Sequence, residues 1–181
     1  MKKDLLQMDE IQIIQRCQEQ DLTAFKMLFE RYEQPLLRTA LRMLGQQQDA
    51  EDAVQTTFIK LHRGIKNFRL EARFSTYLYQ ILMNVCIDTM RKKGRQRTFP
   101  VKEEILADDP PAEMSYKLEK ALLSLPERMR ACFILFAIEE VRQEEIAQVM
   151  GLTVGGVKAH IHHAKVKLRD ILSQPYEGEM A

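Results

Sequence analysis

The chain has 181 residues, room for one or two small domains, and its 27 basic and 26 acidic side chains leave a formal net charge of +1. That balance excludes a uniformly cationic nucleic-acid binder, though not a segregated one. Trp is absent, aromatics make up 7% of the chain, and long helical periodicities dominate, so the fold class expected is all-α. Cys17, Cys86 and Cys132 are odd in number, far apart and set in apolar helical patterns. They read as buried thiols of a reducing compartment, neither a disulfide framework nor a metal site. No apolar run approaches the roughly 20 residues of a membrane span. The start, MKKDLLQMDE, lacks the apolar core of a signal peptide, so a cytoplasmic protein is expected.

Asp9 is placed to cap a first short helix with Ile11, Ile14 and Cys17 inward. A second begins near Asp21 and carries Phe25, Leu28, Phe29 and Tyr32, with a bend or restart at Pro35. Gly45 reads as its C-terminal cap. The next helix, Asp49 to Arg63, crowds Asp49, Glu51 and Asp52 into its first turn and offers Ala53, Val54, Ile59 and Leu61 for burial. Those acids stabilise the positive end of the helix dipole, and they also suit a docking face for a basic partner. After Gly64, residues 67–73 read as a loop. Ser75 or Thr76 then caps a long helix to about Lys93, with Leu78, Ile81, Leu82, Val85 and Cys86 as its stripe. Phe68, Phe74, Tyr77 and Tyr79 cluster near its start, and the run Arg91–Arg97, RKKGRQR, puts five cations and no acid at its end. Rings beside cations fit a single-stranded nucleic-acid surface, and they also fit an ordinary core with a solvated basic end.

Between Thr98 and Ser115 the periodicity fades among prolines and acids, which predicts a flexible acidic linker between residues 1–97 and 116–174, with a frayed tail at 175–181. Helices resume at Tyr116–Leu123 and again after Leu125-Pro126-Glu127, the latter with Met129, Cys132, Phe133 and Phe136 inward. Then Gln143–Met150, the break Gly151-Leu152-Thr153, and a stripe Val157, Ile161, Ala164, Leu168 spell a helix-turn-helix. Thr153 is the predicted cap of its second helix. The opposite face carries Lys158, His162, Lys165 and Arg169, a cationic face suited to the major groove.

Taken in order, AFKMLFERY, DAEDAVQTTFIKLHR, FSTYLYQILMNVCIDTMRKK, LPERMRACFILF and EEIAQVMGLTVGGVKAHIHHAKVKL resemble an RNA polymerase sigma factor of the extracytoplasmic-function type over nearly all of residues 21–172. The resemblance implies two small helical domains. One, like sigma region 2, grips the clamp coiled coil of core polymerase and opens the −10 promoter element. The other, like region 4, reads the −35 element and touches the polymerase flap. Both jobs are binding, so no enzyme activity, metal or cofactor is implied. By position, the resemblance puts Asp49, Glu51, Asp52, Gln55 and Phe58 on the polymerase. It puts Asn67, Phe68, Arg69 and Phe74 in a loop that holds an extruded −10 base, Tyr79 and Asn84 beside that base, and Arg91 on the same DNA. Thr153, Lys158, Ala159, His162, His163 and Lys165 fall on the −35 element. A base turned out of the duplex costs a few kcal/mol of unstacking, recovered by a pocket that stacks it and bonds its edge.

Several positions depart from the family pattern. Tyr77 stands where Trp is usual and Leu70 where Gly is frequent. Ala159 replaces a Ser, His160 and His163 replace arginines, and Phe136-Ala137 stands where Arg-Glu is common. The first two bear on the base-holding loop, and the others on −35 recognition. An anti-sigma factor is a further partner the resemblance admits. A stand-alone helix-turn-helix regulator is the alternative, and it leaves the acidic helix and the base-holding loop without a purpose. A metal enzyme built on His160, His162 and His163 lacks the acid or Cys that would complete three or four ligands.

Overall fold

The computed structural model describes residues 9–70, 73–94 and 112–173, and among them every regular element is helical. The helices are α1 (Glu10–Gln18), α2 (Leu22–Leu44), α3 (Gln47–Gly64), α4 (Phe74–Gly94), α5 (Ala112–Leu123), α6 (Glu127–Ala137), α7 (Gln143–Met150) and α8 (Val154–Leu172), with a 3-10 turn at Ile65–Asn67.

Asp9 stands at the N-cap of α1, where its N–H donates to Gln12 Oε1 at 3.3 Å. The inward residues are Ile13, Ile14 and Cys17; Ile11, expected inside, is 50% exposed. Asp21 caps α2 by accepting from the N–H groups of Thr23 and Ala24, which together with Arg16 hold its carboxyl below the usual range. Pro35 neither bends α2 into two nor restarts it: one helix runs from Leu22 to Leu44. A proline in a helix interior forfeits a hydrogen bond and crowds the preceding turn. Burial on both sides of it offsets that cost, since Ala24 and Leu28 before it and Leu36, Ala40 and Met43 after it are at most 1% exposed. Gly45 ends the helix at φ 75°, its N–H on the Leu41 carbonyl at 2.7 Å.

The loop helix α4 begins at Phe74, so Ser75 and Thr76 lie inside its first turn and are not its caps. Its first turn closes through Tyr77 N–H on the Arg73 carbonyl at 3.3 Å. On α3, Ala53, Val54, Phe58 and Leu61 are buried, whereas Ile59 is 53% exposed. The predicted linker falls mostly outside the described residues; its last four, 112–115, belong to α5, which starts earlier than Tyr116. The predicted tail at 175–181 also lies outside them.

In the C-terminal half the helix-turn-helix takes the expected form. Gly151 adopts φ 61°, the left-handed conformation that glycine reaches without steric cost. Thr153 then accepts from Gly156 N–H at 3.0 Å, and Val157, Ile161, Ala164 and Leu168 point inward.

The sequence predicts two helical halves with separate cores. The helical halves are there, but one apolar core runs across both, including Ile13 to Ile87 of the first and Ala131 to Ile161 of the second. Ala121, Leu122, Leu125, Ala164 and Leu168 form a smaller cluster within the second half. The cause is α4, which buries Leu78, Leu82, Met83, Val85, Cys86 and Ile87. These residues cover more than one side of a helix, so it is packed by α2 and α3 from its own half and by α6 and α7 from the other.

Candidate functional site

The polar face of α8 is open. Lys158, Ala159, His162, His163 and Lys165 are exposed, as is Thr153 at the helix start. The four-residue pitch from Lys158 to His162 keeps them on one side, and the rings of His162 and His163 lie 5.9 Å apart. Phe136 is half-buried and packs against the core, and Lys165 Nζ stands 5.1 Å over its ring, so the ring also orients a cation on the polar face of α8.

Around the start of α4 the aromatic rings pack on one another. Phe68 stacks on Tyr77 with centroids 5.0 Å apart and meets the edge of Phe74 at 5.4 Å, while Phe74 meets Tyr32 at 5.5 Å. Phe68 and Phe74 are buried, so these two rings support the loop from beneath and do not face solvent. Gln18 fastens the loop further, its amide donating to the carbonyls of Ile65 at 3.1 Å and Phe68 at 2.8 Å. Asn67, Arg69, Asn84 and Arg91 are exposed. Tyr79 is half-buried and its hydroxyl donates to Glu139 Oε2 at 2.5 Å. Burial, then the Glu139 carboxylate, hold its phenol well above the usual range.

The exposed side of α3 carries Glu51, Asp52 and Gln55. Asp49 is ion-paired to Lys93, and Glu51 accepts from Gln47 Nε2 at 2.7 Å. Phe58 is buried against Phe29, centroids 4.6 Å apart, and the edge of Phe25. It forms the floor of an open groove of about 580 Å³ walled by Phe25, Phe29, Gln55, Ile59, His62 and Arg63. An acidic patch beside an apolar groove on two rigid helices is suited to receive another helix with basic and apolar side chains.

Comparison with known proteins decides the family. Residues 28–96 match the Sigma-70 region 2 family and residues 115–168 match Sigma-70, region 4. The ECF RNA polymerase sigma factor SigW of Bacillus subtilis is 30% identical over 173 residues, covering 86% of this chain and 92% of the relative. The chain belongs to the extracytoplasmic-function sigma factor family. The family's SigE of Mycolicibacterium smegmatis is 36% identical over 147 residues, which are 76% of this sigma factor and 57% of that longer relative. The fold matches that of the sigma factor RpoE in its co-crystal structure with the anti-sigma factor NepR from Bartonella quintana. The TM-score is 0.73 at 24% identity, over 84% of this chain and 98% of that one.

The groove of this sigma factor stays hidden in the sequence, where Ile59 reads as core. It sits one position off the stripe Val54, Phe58, Leu61, and that offset was the available signal. The three cysteines are free and buried, and burial pushes their thiols up to about 11 for Cys17, 12 for Cys86 and 11 for Cys132. None is poised as a thiolate at neutral pH. Among the described residues, no three His, Cys, Asp or Glu side chains converge as metal ligands, and no helix is long and apolar enough to cross a membrane.

Proposed function

We infer that this protein binds core RNA polymerase and directs promoter-specific transcription initiation, region 2 opening the −10 element and region 4 reading the −35 element. The observation that carries the reading is both sigma regions, in order, on one chain. In this reading Glu51, Asp52 and Gln55, with the groove floored by Phe58, receive the clamp coiled coil, and Asp49 braces α3 through Lys93. Asn67, Arg69, Tyr79, Asn84 and Arg91 handle the −10 strand over the buried rings of Phe68 and Phe74. Thr153, Lys158, Ala159, His162, His163 and Lys165 meet the −35 element. An anti-sigma factor fits as a partner, the fold being shared with a sigma factor crystallised with one. The protein works in the cytoplasm beside the polymerase and carries out no catalytic step of its own.

Mixing the purified chain with core polymerase and a promoter library is expected to give specific initiation. Silence across a range of core enzymes, with no inhibitor present, overturns the reading. Within it, Asn84→Ala is expected to reduce strand opening more than polymerase binding, since an Asn amide offers donor and acceptor to a base edge. Permanganate reactivity of −10 thymines equal to wild type would remove Asn84 from that role.

A further inference from the structure

The first helix, α1, lies outside the matched region 2, which begins at residue 28, yet it is fastened to the loop between α3 and α4. Gln18 is its last residue. A side-chain amide carries two donors, and both of them go to this loop. The Gln18 amide donates to the Ile65 carbonyl at 3.1 Å and to the Phe68 carbonyl at 2.8 Å, 47 and 50 positions along the chain. The Ile65 carbonyl also accepts from Phe68 N–H at 3.1 Å, which closes the 3-10 turn Ile65–Asn67. Residue 68 is thus held at two points. Its carbonyl is on Gln18, and its ring lies between Tyr77 at 5.0 Å and Phe74 at 5.4 Å. On either side of it, Asn67 and Arg69 are exposed.

The corner between α1 and α2 fixes the aim of Gln18. Gln20 sits at φ 69°, a region non-glycine residues seldom adopt. Bonds on both sides hold it there: Gln20 N–H is on the Cys17 carbonyl at 3.0 Å, Asp21 N–H is on the Arg16 carbonyl at 3.0 Å, and Arg16 Nε donates to Asp21 Oδ2 at 2.8 Å. At the other end of α1, Glu10 accepts from the Tyr32 hydroxyl, and the Tyr32 ring meets Phe74 at 5.5 Å. Between the two ends, Ile13, Ile14 and Cys17 anchor the helix in the core. The helix therefore reaches the loop twice, directly at residues 65 and 68 and through Tyr32 at residue 74. The loop has little slack of its own, since a Cβ on Gly64 would come within 2.7 Å of Tyr77 Oη.

We propose that α1 is part of the apparatus that reads the −10 strand, with Gln18 its positioning residue: it holds the backbone of residues 65–68 so that Asn67 and Arg69 meet the strand in a single geometry. The proposal rests on the sigma factor reading for what the loop binds. Gln18 acts without touching DNA, since both its donors are spent on backbone carbonyls. Its contribution is preorganisation. A loop ordered before binding loses less conformational freedom on contact. Phosphate contacts position a strand and carry no sequence information, whereas base edges are read by donors and acceptors at set places. A loop freed from Gln18 still meets phosphates through Arg69, but it no longer presents Asn67 and Arg69 at a fixed place. Removing the amide therefore costs base selectivity before it costs strand affinity.

The test compares Gln18→Met with Gln18→Lys in the full chain. Met keeps the unbranched length and helix propensity of Gln without its donors, and Lys supplies N–H donors again. Gln15→Met, at an exposed position of the same helix, is the control. On a promoter selected by the parent holoenzyme, strand opening is measured with each base, and with an abasic site, at every −10 position. In Gln18→Met, discrimination at the position of the extruded base is expected to fall about tenfold, the worth of two neutral hydrogen bonds. Opening on the abasic template and capture on core polymerase are expected to match the parent, and Gln18→Lys to recover part of the discrimination. In the free chain, hydrogen exchange of the Phe68 amide is expected to quicken about tenfold in Gln18→Met and not in Gln15→Met. Unchanged discrimination in Gln18→Met overturns the proposal. An equal loss on the abasic template also overturns it, being the mark of a merely structural role. A parent that initiates on no promoter instead overturns the sigma factor reading; unchanged Phe68 exchange in Gln18→Met then still overturns the brace.

Discussion

Lys158→Glu is expected to abolish −35-dependent initiation while leaving clamp binding intact. Lys158 stands exposed near the N-terminal end of α8, on the face that also presents His162 and Lys165. Entry into the major groove brings such a side chain to a base edge or phosphate, and a good contact of this kind contributes about 1–3 kcal/mol. Reversing the charge removes the contact and adds repulsion from the phosphates, so the loss should reach about a hundredfold in promoter affinity at low salt. The fold should survive, because the inward stripe from Val157 to Leu168 is untouched. The measurement is transcription from promoters with and without a −35 element, alongside capture on core polymerase. Equal promoter strength in the variant and its parent would remove α8 from the role of recognition helix.

Arg130→Ala is expected to have the largest effect on stability. Arg130 is 8% exposed. Its Nη1 donates to the Met43 carbonyl at 2.5 Å, and its Nη2 donates to Leu125 at 2.9 Å and to Leu123. One guanidinium thus satisfies carbonyls at the end of α2, at the end of α5 and within the turn that follows it. Burial lowers its pKa to about 10 against a smaller opposing pull from Glu127, so it remains a cation at neutral pH. Truncation leaves these acceptors buried without donors and opens a void, a loss of about 3–5 kcal/mol by comparison with other buried charged groups. Urea unfolding of the full chain should show it. Arg130→Lys should recover only part, since a single ammonium cannot reach acceptors that a planar fork spans. A variant as stable as its parent would mean that water replaces the guanidinium at no cost.

Local patterns carried much of the architecture because their causes are local. Gly45 and Gly151 end helices where a left-handed residue is needed, Asp21 and Thr153 cap by bonding backbone two and three residues away, and the stripe on α8 is a matter of pitch alone. The family was legible for the same reason: five short segments in order each keep their own residues. The errors cluster where a neighbour decides. Pro35 predicts a break because propensity speaks for an isolated helix, whereas burial on both sides keeps α2 whole. Apolar residue type puts Ile11 and Ile59 inside, yet Ile13 and Phe58 take the inward positions. How the loop at 67–74 is held is likewise a matter of neighbours, the rings of Phe68 and Phe74 packing on Tyr77, Tyr32 and each other.

The all-helical class, the helix-turn-helix with its cationic face, and the order of the two sigma regions are legible along the chain, since each is written in neighbouring residues. Packing alone brings Glu139 onto Thr39 and Tyr79 across 100 and 60 positions of chain. Packing likewise carries Arg130 to Met43 across 87 positions and covers α4 on two sides. Such pairings depend on how whole helices stack, and packing of that kind leaves no periodic trace in the segments it joins.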